Sequence, residues 1–539
     1  MLLFGKVFLR GRYFGGLSLT TALVSGLIAF PGYAQDATWN NPANGSYSFY
    51  GNWNTGSAPV SNDTATFSGT PSSTVTLDAA SVTVGNVVVN DIGAIKNGTF
   101  DFNSGSASTL TYSDTDSTAL ASSLTLNLNG ADLTVTATEN MDFAGAIKNT
   151  GAAATLSLDT TAVMTLSGVI SDATAVTVGS GAVTLSGTNT YTGATTVSAG
   201  TLNIGSAAAL GASTSVTVNT PGTLDLNGFD TTAAGLSGDG TITNDNGGAG
   251  NAVLTVSGAA FSGSVQDGTS DTLGLTLDNA LETDVFALSG TNSYSGDTTI
   301  ETGILVISGG SAIHDDGLVT VTADSTLRVD ASEDVGLLSG AGSVDLNGAG
   351  VTLTLGDTGG GAQTHSGVIS GAGNLAMAGG GTQTLSGANT YTGATTVTAG
   401  TLVLNNAGGM ALADSTAVTV TGTLDVQSSE TIGTLAGAGT VDVNSNTLTL
   451  AGAGDTTFSG TLAGAGTLAK IGGDTLTLSG DNTAYTGGFT ISGTSTIAGG
   501  ANAFGTGAGA IALDNGTLNV TATSTVANAI TVAAAGGAI

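Results

Sequence analysis

The stretch LSGTNTYTGATTVSAGTLNI, residues 185–204, decides the fold. Its second half alternates: Ala-Thr-Thr-Val at 194–197 and Thr-Leu-Asn-Ile at 201–204 set small or polar residues against apolar ones. A period of two puts the apolar side chains on one face of an extended chain. Ser198-Ala199-Gly200 breaks the run, and Gly187 and Gly193 offer places where the backbone can turn tightly. A strand of four or five residues cannot bury such a face alone. Stacked on copies of itself it can, with backbone groups pairing to the coils above and below at about 4.8 Å.

The copies are present. Residues 288–307 read LSGTNSYSGDTTIETGILVI, and residues 385–404 read LSGANTYTGATTVTAGTLVL. Residues 478–497 read LSGDNTAYTGGFTISGTSTI, with one inserted Ala and a weaker second half. The leading leucines, Leu185, Leu288, Leu385 and Leu478, stand 103, 97 and 93 residues apart. Lesser echoes lie between them: GTLDLNG at 222–228, GSVDLNG at 342–348, GTLDV at 422–426, LAGAGTV at 435–441 and LAGAGTL at 462–468. The pattern predicts an all-β chain, a parallel β-helix solenoid of repeated short strands. At about 20–25 residues per coil the mature chain makes roughly 20–25 coils and a rod on the order of 100–120 Å long. A stack of separate sandwiches would need hairpin turns throughout. The Asn-Gly pairs at 44–45, 97–98, 129–130, 227–228, 347–348 and 515–516 also suit solenoid corners.

Composition agrees. Of 539 residues, 86 are Gly and 5 are Pro, and only 9% are charged. No Gly-X-Y period is present, which excludes collagen, and 40% hydrophobic content is too high for a disordered chain. The net charge is −32. Removal of Lys6, Arg10 and Arg12 would leave Lys96, Lys148, Arg328 and Lys470 against 39 acidic residues, a mature charge of −35. Such a surface repels phosphate backbones and anionic lipid, so no nucleic-acid partner is expected. The absence of cysteine rules out disulfides, thiolate nucleophiles and Cys-based zinc sites.

Residues 1–34 have the layout of a secretory signal peptide. Three basic residues precede the mostly apolar run Leu17 to Phe30, and Gly32 and Ala34 lead to an expected cut between Ala34 and Gln35. The run is short for a membrane-spanning helix. The remainder divides into an N-terminal capping segment, 35–72, and a repeat region, 73–539, whose C-terminal end is expected to be truncated.

LSGTNTYTGATTVSAGTL at 185–202 and its three relatives resemble autotransporter-associated β-strand repeats of Gram-negative passenger domains (type V secretion). Trp39, Gly51-Asn52-Trp53, Ala58-Pro59 and Asp63-Thr64-Ala65-Thr66-Phe67 are similar to the opening segment of such passengers. The resemblance covers most of residues 36–539. It implies a right-handed β-helix, export through the periplasm and outer membrane, and display at the cell surface or release. It also implies adhesion or autoaggregation, with host or matrix surface molecules or other copies of the chain as partners. Such passengers end in an outer-membrane translocator barrel with a terminal aromatic residue. This chain ends in Ala-Ala-Ala-Gly-Gly-Ala-Ile, so the barrel expected as a partner is absent from it.

Catalytic chemistry has few carriers. His314 and His365 are the only histidines. A subtilisin-like order can be forced as Asp330, His365 and Ser495, but Ser495 is followed by Thr-Ile-Ala-Gly-Gly and His365 by Ser-Gly, neither of which fits that motif. A polar histidine on a solenoid turn is the simpler expectation. Asp114-Thr115-Asp116 and Asn244-Asp245-Asn246-Gly247 cluster oxygen ligands without the spacing of a calcium loop. Turn-capping is the simpler role for them. Tyr191, Tyr294, Tyr391 and Tyr485 recur at matching positions. They suit either an exposed ladder for stacking on sugars or, preferably, corner residues packed on the next coil. No catalytic, cofactor-binding or metal-binding residue is assigned. The chain is expected not to be an enzyme, unless it is the stalk of a hydrolase whose catalytic part lies elsewhere. A purely structural envelope or matrix role is the other alternative.

Overall fold

The computed structural model describes residues 37–38, 45–46 and 63–539, less 69–73, 78–81, 91, 93, 103–106, 116–119, 212–214, 246–249, 357–358, 501 and 522–525. The signal peptide, its cut at Ala34 and Gln35, and the Trp39 to Pro59 signature of the opening segment lie outside the described residues.

Alternating sequence becomes alternating burial. In the strand Thr201–Ile204, Leu202 and Ile204 are fully buried while Thr201 and Asn203 are half-exposed. The strand pairs in parallel register with the coil above, Leu202 opposite Leu224, and that strand pairs onward, Leu224 opposite Ile242. Each fully buried Val, Leu or Ile contributes roughly 1.5–3 kcal/mol. All strand–strand pairings among the described residues are parallel, and the chain stacks into a β-solenoid of about 21 turns. The rod is therefore about 100 Å long at about 4.8 Å per turn. Thr64–Ser68, in the capping segment, already lies in the stack, with Ala37–Thr38 on one side and Asn86–Asn90 on the other.

Each turn has three faces, visited in the order two, three, one. Thr195–Val197, Val216–Val218 and Ser237–Gly238 stack on face two. Thr201–Ile204, Thr223–Asp225 and Thr241–Thr243 stack on face three. Thr231–Ala234, Ala252–Ser257 and Leu273–Asp278 stack on face one. The turns between faces use residues that tolerate left-handed backbone. At Asn227-Gly228 both residues have positive φ, 51° and 80°. The corner after face one needs glycine because successive coils touch there. A methyl on Gly367 would overlap the Gly342 carbonyl oxygen, and one on Gly387 would overlap that of Gly367.

Outward positions carry hydroxyls in register. On face one Thr232 lies opposite Thr255, Thr255 opposite Thr276, Thr276 opposite Thr299, Thr299 opposite Thr320, and Thr320 opposite Ser339. β-Branched threonine suits a half-exposed strand position, and neighbouring hydroxyls bond along the column, as between Thr320 and Ser339 at 2.8 Å.

Candidate functional site

The four long repeats are where this regular cylinder is interrupted. In each, the motif tyrosine makes a corner in place of a strand, and one coil later a turn-rich loop fills the same face. The loops lie between strands that end at Ile204, Ile307, Leu404 and Gly499 and strands that begin at Val216, Val319, Ala417 and Ile511. They replace face one, then face three, then face two, then face one again. The phasing follows from the coil length. After the corner at 389–392, face two continues through the loop 405–416, Glu430–Ile432, Thr447–Leu450 and Thr467–Lys470. One further strand, Thr475–Leu478 on face three, then leads to the next corner on face one. Repeats four coils and two faces apart turn each new interruption one face back around the rod.

An asparagine fixes every interruption. Asn189, Asn292, Asn389 and Asn482 are buried, at the fifth position of the LSGxN motif. The side-chain oxygen of each accepts a backbone N–H from the coil below: Ile170 at 2.9 Å, Val265 at 2.7 Å, Ile369 at 2.7 Å and Leu462 at 2.7 Å. The side-chain nitrogen of each donates to a loop carbonyl above: Ala209 at 2.6 Å, Ala312 at 2.8 Å, Ala411 at 2.7 Å and Ala503 at 2.8 Å. Each of these alanines begins a buried doublet, Ala209-Leu210, Ala312-Ile313, Ala411-Leu412 and Ala503-Phe504, that plugs the loop into the core. Neither the asparagine nor the doublet is singled out by strand periodicity. The available signal is an Ala-apolar pair 20–22 residues after the motif Asn in all four copies.

Two loops are gripped a second time. Glu333 opens Glu333–Val335, the first strand of a 10-stranded sheet, and Glu430 opens Glu430–Ile432, the first strand of a 6-stranded sheet. Both are buried. Glu333 Oε1 accepts the Ile313 N–H at 2.7 Å, and Glu430 accepts those of Leu412 and Ala411 at 3.0 and 3.1 Å. The loop thus covers the exposed starting edge of each new sheet. Burial pushes both carboxyls up to about 7, partly offset by the backbone N–H groups and reinforced by Asp315 and Asp334 around Glu333 and by Asp414 beside Glu430. In the first repeat Thr231 stands at the corresponding strand start.

The interruptions open notches in otherwise flat faces. One, of about 470 Å³, is lined by Gly408, Gly409, Met410, Asp414, Glu430 and Thr447 among others. A smaller one of about 190 Å³ lies at Asp315, Asp316, Asp334 and Thr354. A third, of about 270 Å³, lies between Asp481 and Asn502. No basic side chain lines these three, so they suit neutral or cationic groups over anionic ones.

The family model of the passenger-associated-transport-repeat matches residues 177–204, 283–307, 375–404 and 468–501, each match holding a motif corner and stopping before or within the loop that follows. Four such repeats on a β-solenoid fit an autotransporter passenger domain. No curated protein and no solved structure matches it. This passenger is of the exported kind that its transport repeats define.

The other residues drawn from the sequence fall as follows. The passenger's four motif tyrosines are buried corner residues, the packed reading, and none forms an exposed aromatic ladder. Tyr191, Tyr294 and Tyr391 pair their hydroxyls with the threonine four residues on, Thr195, Thr298 and Thr395, at 2.8, 2.7 and 2.6 Å. Burial pushes the Tyr191 phenol up to about 12. Tyr485, displaced by the inserted Ala484, instead bonds the main chain of Gly466, Leu468 and Gly488. Asp330, His365 and Ser495 do not meet. Asp330 follows the face-two strand Ser325–Val329 and holds Arg328 and Asn347. Ser495 is buried, bonded to the Gly472 carbonyl, roughly six coils and about 28 Å along the rod from His365. His314 is a turn histidine as expected, accepting the Asp316 N–H at 3.2 Å. His365 is not: it points inward, and burial depresses its pKa. Its strand pairs with the coil below only at Gly340. Gln383, buried one coil above, reaches past it to both main-chain groups of Leu338. Asp114 accepts the Ile92 N–H at 2.5 Å. Asn244 spans Gly228, Gly250 and Thr272. Asp245 caps Thr269. All three serve the backbone; Asp116, Asn246 and Gly247 lie outside the described residues.

Proposed function

We propose that this passenger is a non-enzymatic extracellular rod that mediates adhesion or autoaggregation through many weak surface contacts. The observation that carries the reading is the in-register hydroxyl column from Thr232 to Ser339, a row of hydrogen-bonding groups at about 4.8 Å spacing on a rigid support. Each contact is weak, and a partner that engages several at once gains through effective concentration. Partners of this kind are hydroxyl-rich host or matrix surfaces, or other copies of the rod. The stepping of the interruptions around the rod supports contact on more than one side, as clumping requires. Display at the cell surface through an outer-membrane barrel, or release from it, belongs to the same reading. The test is gene deletion followed by attachment and clumping assays, with complementation by a Thr255→Glu, Thr276→Glu, Thr299→Glu variant. Loss on deletion and poor rescue by the variant support the proposal; unchanged attachment and clumping in the deletion strain overturn it.

A further inference from the structure

Glu333 and Glu430 hold the same place in successive repeats, yet their oxygens are occupied differently. Both oxygens of Glu430 accept hydrogen bonds, Oε1 from Leu412 at 3.0 Å and Oε2 from Ala411 at 3.1 Å. Glu333 uses only Oε1, bonded to Ile313 at 2.7 Å, and its Oε2 is buried without a partner. The Ala312 amide also faces Glu333 and favours its charged form, but leaves Oε2 without a hydrogen bond of good geometry. The charged and titratable groups around Glu430 are Asp414 on the loop and Tyr391 at the corner below. Those around Glu333 are Asp315 on the loop, Asp334 beside it and Tyr294 at the corner, with His314 and Asp316 further along the same loop. No Lys or Arg acts on either carboxylate.

We propose that Glu430 is a proton-operated latch on the loop 405–416, whereas Glu333, at the equivalent place, takes up a proton without releasing its loop. A proton arriving on Glu430 turns one of its two accepting oxygens into a hydroxyl, a poorer acceptor, so one of the two N–H bonds is weakened, and the longer one, to Ala411, is the one that opens. A proton arriving on Glu333 occupies the free Oε2, and the Ile313 bond stays. Burial raises both carboxyls to about 7, which places the event near neutral pH. Ala411 adjoins Met410, which is 44% exposed and lines the largest of the notches. Acidification therefore reshapes that notch and leaves the one beside Glu333 as it is. The latch does not depend on what the passenger adheres to.

The sequence makes the test direct. The chain has five glutamates, of which Glu139, Glu282 and Glu301 are exposed, and five methionines, of which Met141, Met164 and Met377 are buried. The full chain, labelled with ¹³C at glutamate carboxyls and methionine methyls, is followed by NMR from about pH 8 to about pH 5. The Glu333 and Glu430 carboxyl resonances are expected to titrate near neutral, and the Met410 methyl is expected to shift with the Glu430 midpoint. In Glu430→Gln, whose amide carries the hydrogens that a protonated carboxyl would, Met410 is expected at its acid position at every pH. In Glu333→Gln its titration is expected unchanged. A Met410 resonance that does not move in the wild-type chain, or that moves equally in Glu430→Gln, overturns the proposal. So does a Glu430 carboxyl that does not titrate near neutral pH. The wild-type titration needs no variant, so a poorly folding substitution leaves the question decidable.

Discussion

Asn389 and Glu430 hold the two ends of one residue: Asn389 donates to the Ala411 carbonyl at 2.7 Å, and Glu430 accepts the Ala411 N–H at 3.1 Å. The two side chains come from different coils, 41 residues apart, and meet on a loop from a third. A loop that replaces a strand loses the ladder partners a strand would have. Here two polar side chains restore them, which lets the chain interrupt a face without leaving buried main-chain groups unpaired.

Asn389→Ala tests that role. The substitution leaves the buried Ile369 N–H and Ala411 carbonyl unpaired, at about 1–3 kcal/mol each. Solenoid stability is a sum of neighbour terms, so the damage is local. Amide exchange at Ile369 and along 405–416 should rise by two orders of magnitude or more, about 3 kcal/mol, while the equivalent amide of Ile170 under Asn189 keeps its protection. Unchanged exchange at Ile369 would show that another group takes the asparagine's place.

The tyrosines separate by what their hydroxyls hold. Tyr391→Phe removes one bond to Thr395, a side chain able to turn to another acceptor, at a cost of about 1 kcal/mol. Tyr485→Phe also leaves the Leu468 N–H without its tyrosine partner and should cost about 1 kcal/mol more. Urea unfolding of the two variants checks the order; equal losses would mean the inserted Ala484 has not changed what the hydroxyl supports.

Close contact between coils is tested at Gly367→Ala. The added methyl has no space against the Gly342 carbonyl, which is main chain and cannot swing aside. A cost on the order of 3 kcal/mol is expected, at the upper end for overpacking. Gly350→Ala, where nothing lies within 4 Å of the added carbon, is the control and should be nearly neutral. Thermal unfolding of the pair measures the difference.

Much of this architecture is legible in Leu202, Ile204 and their neighbours. A period of two and a repeated unit suffice for parallel stacking, because a short apolar face has few other ways to be buried. The number of coils follows from length. What escapes the reading is set by relations between coils. Gln383 uses its buried amide on Leu338, two coils below, because the strand between them pairs with that lower coil only at Gly340, and His365 lies inward because it stands in register with the buried Leu385. Asn389 looks like a turn residue until its two partners, one from the coil below and one from the coil above, are in place. Glu430 is one acid among 39 until a loop is laid over it. The rotation of the repeats around the rod depends on the remainder after whole coils are counted, which repeat spacing alone does not reveal.

The two buried glutamates also set how global stability depends on pH. Both are raised from an ordinary value of 4.5 to about 7 in the folded chain, with burial the largest cause. Between those values the unfolded chain has released these protons and the folded chain retains them, so the unfolded state gains as pH rises. Their favourable contribution is thus fully present below about pH 4.5 and is lost as pH climbs through about 7. Glutamine at both positions does not titrate and removes this dependence. The double variant Glu333→Gln, Glu430→Gln should therefore compare more favourably with wild type at about pH 8 than at about pH 5 in thermal unfolding. Working from the difference between proteins cancels the remaining carboxylates, which the two chains share. A difference that is the same at both pH values would show that neither glutamate retains its proton through this range, and the burial assigned to them would have to be relieved in solution.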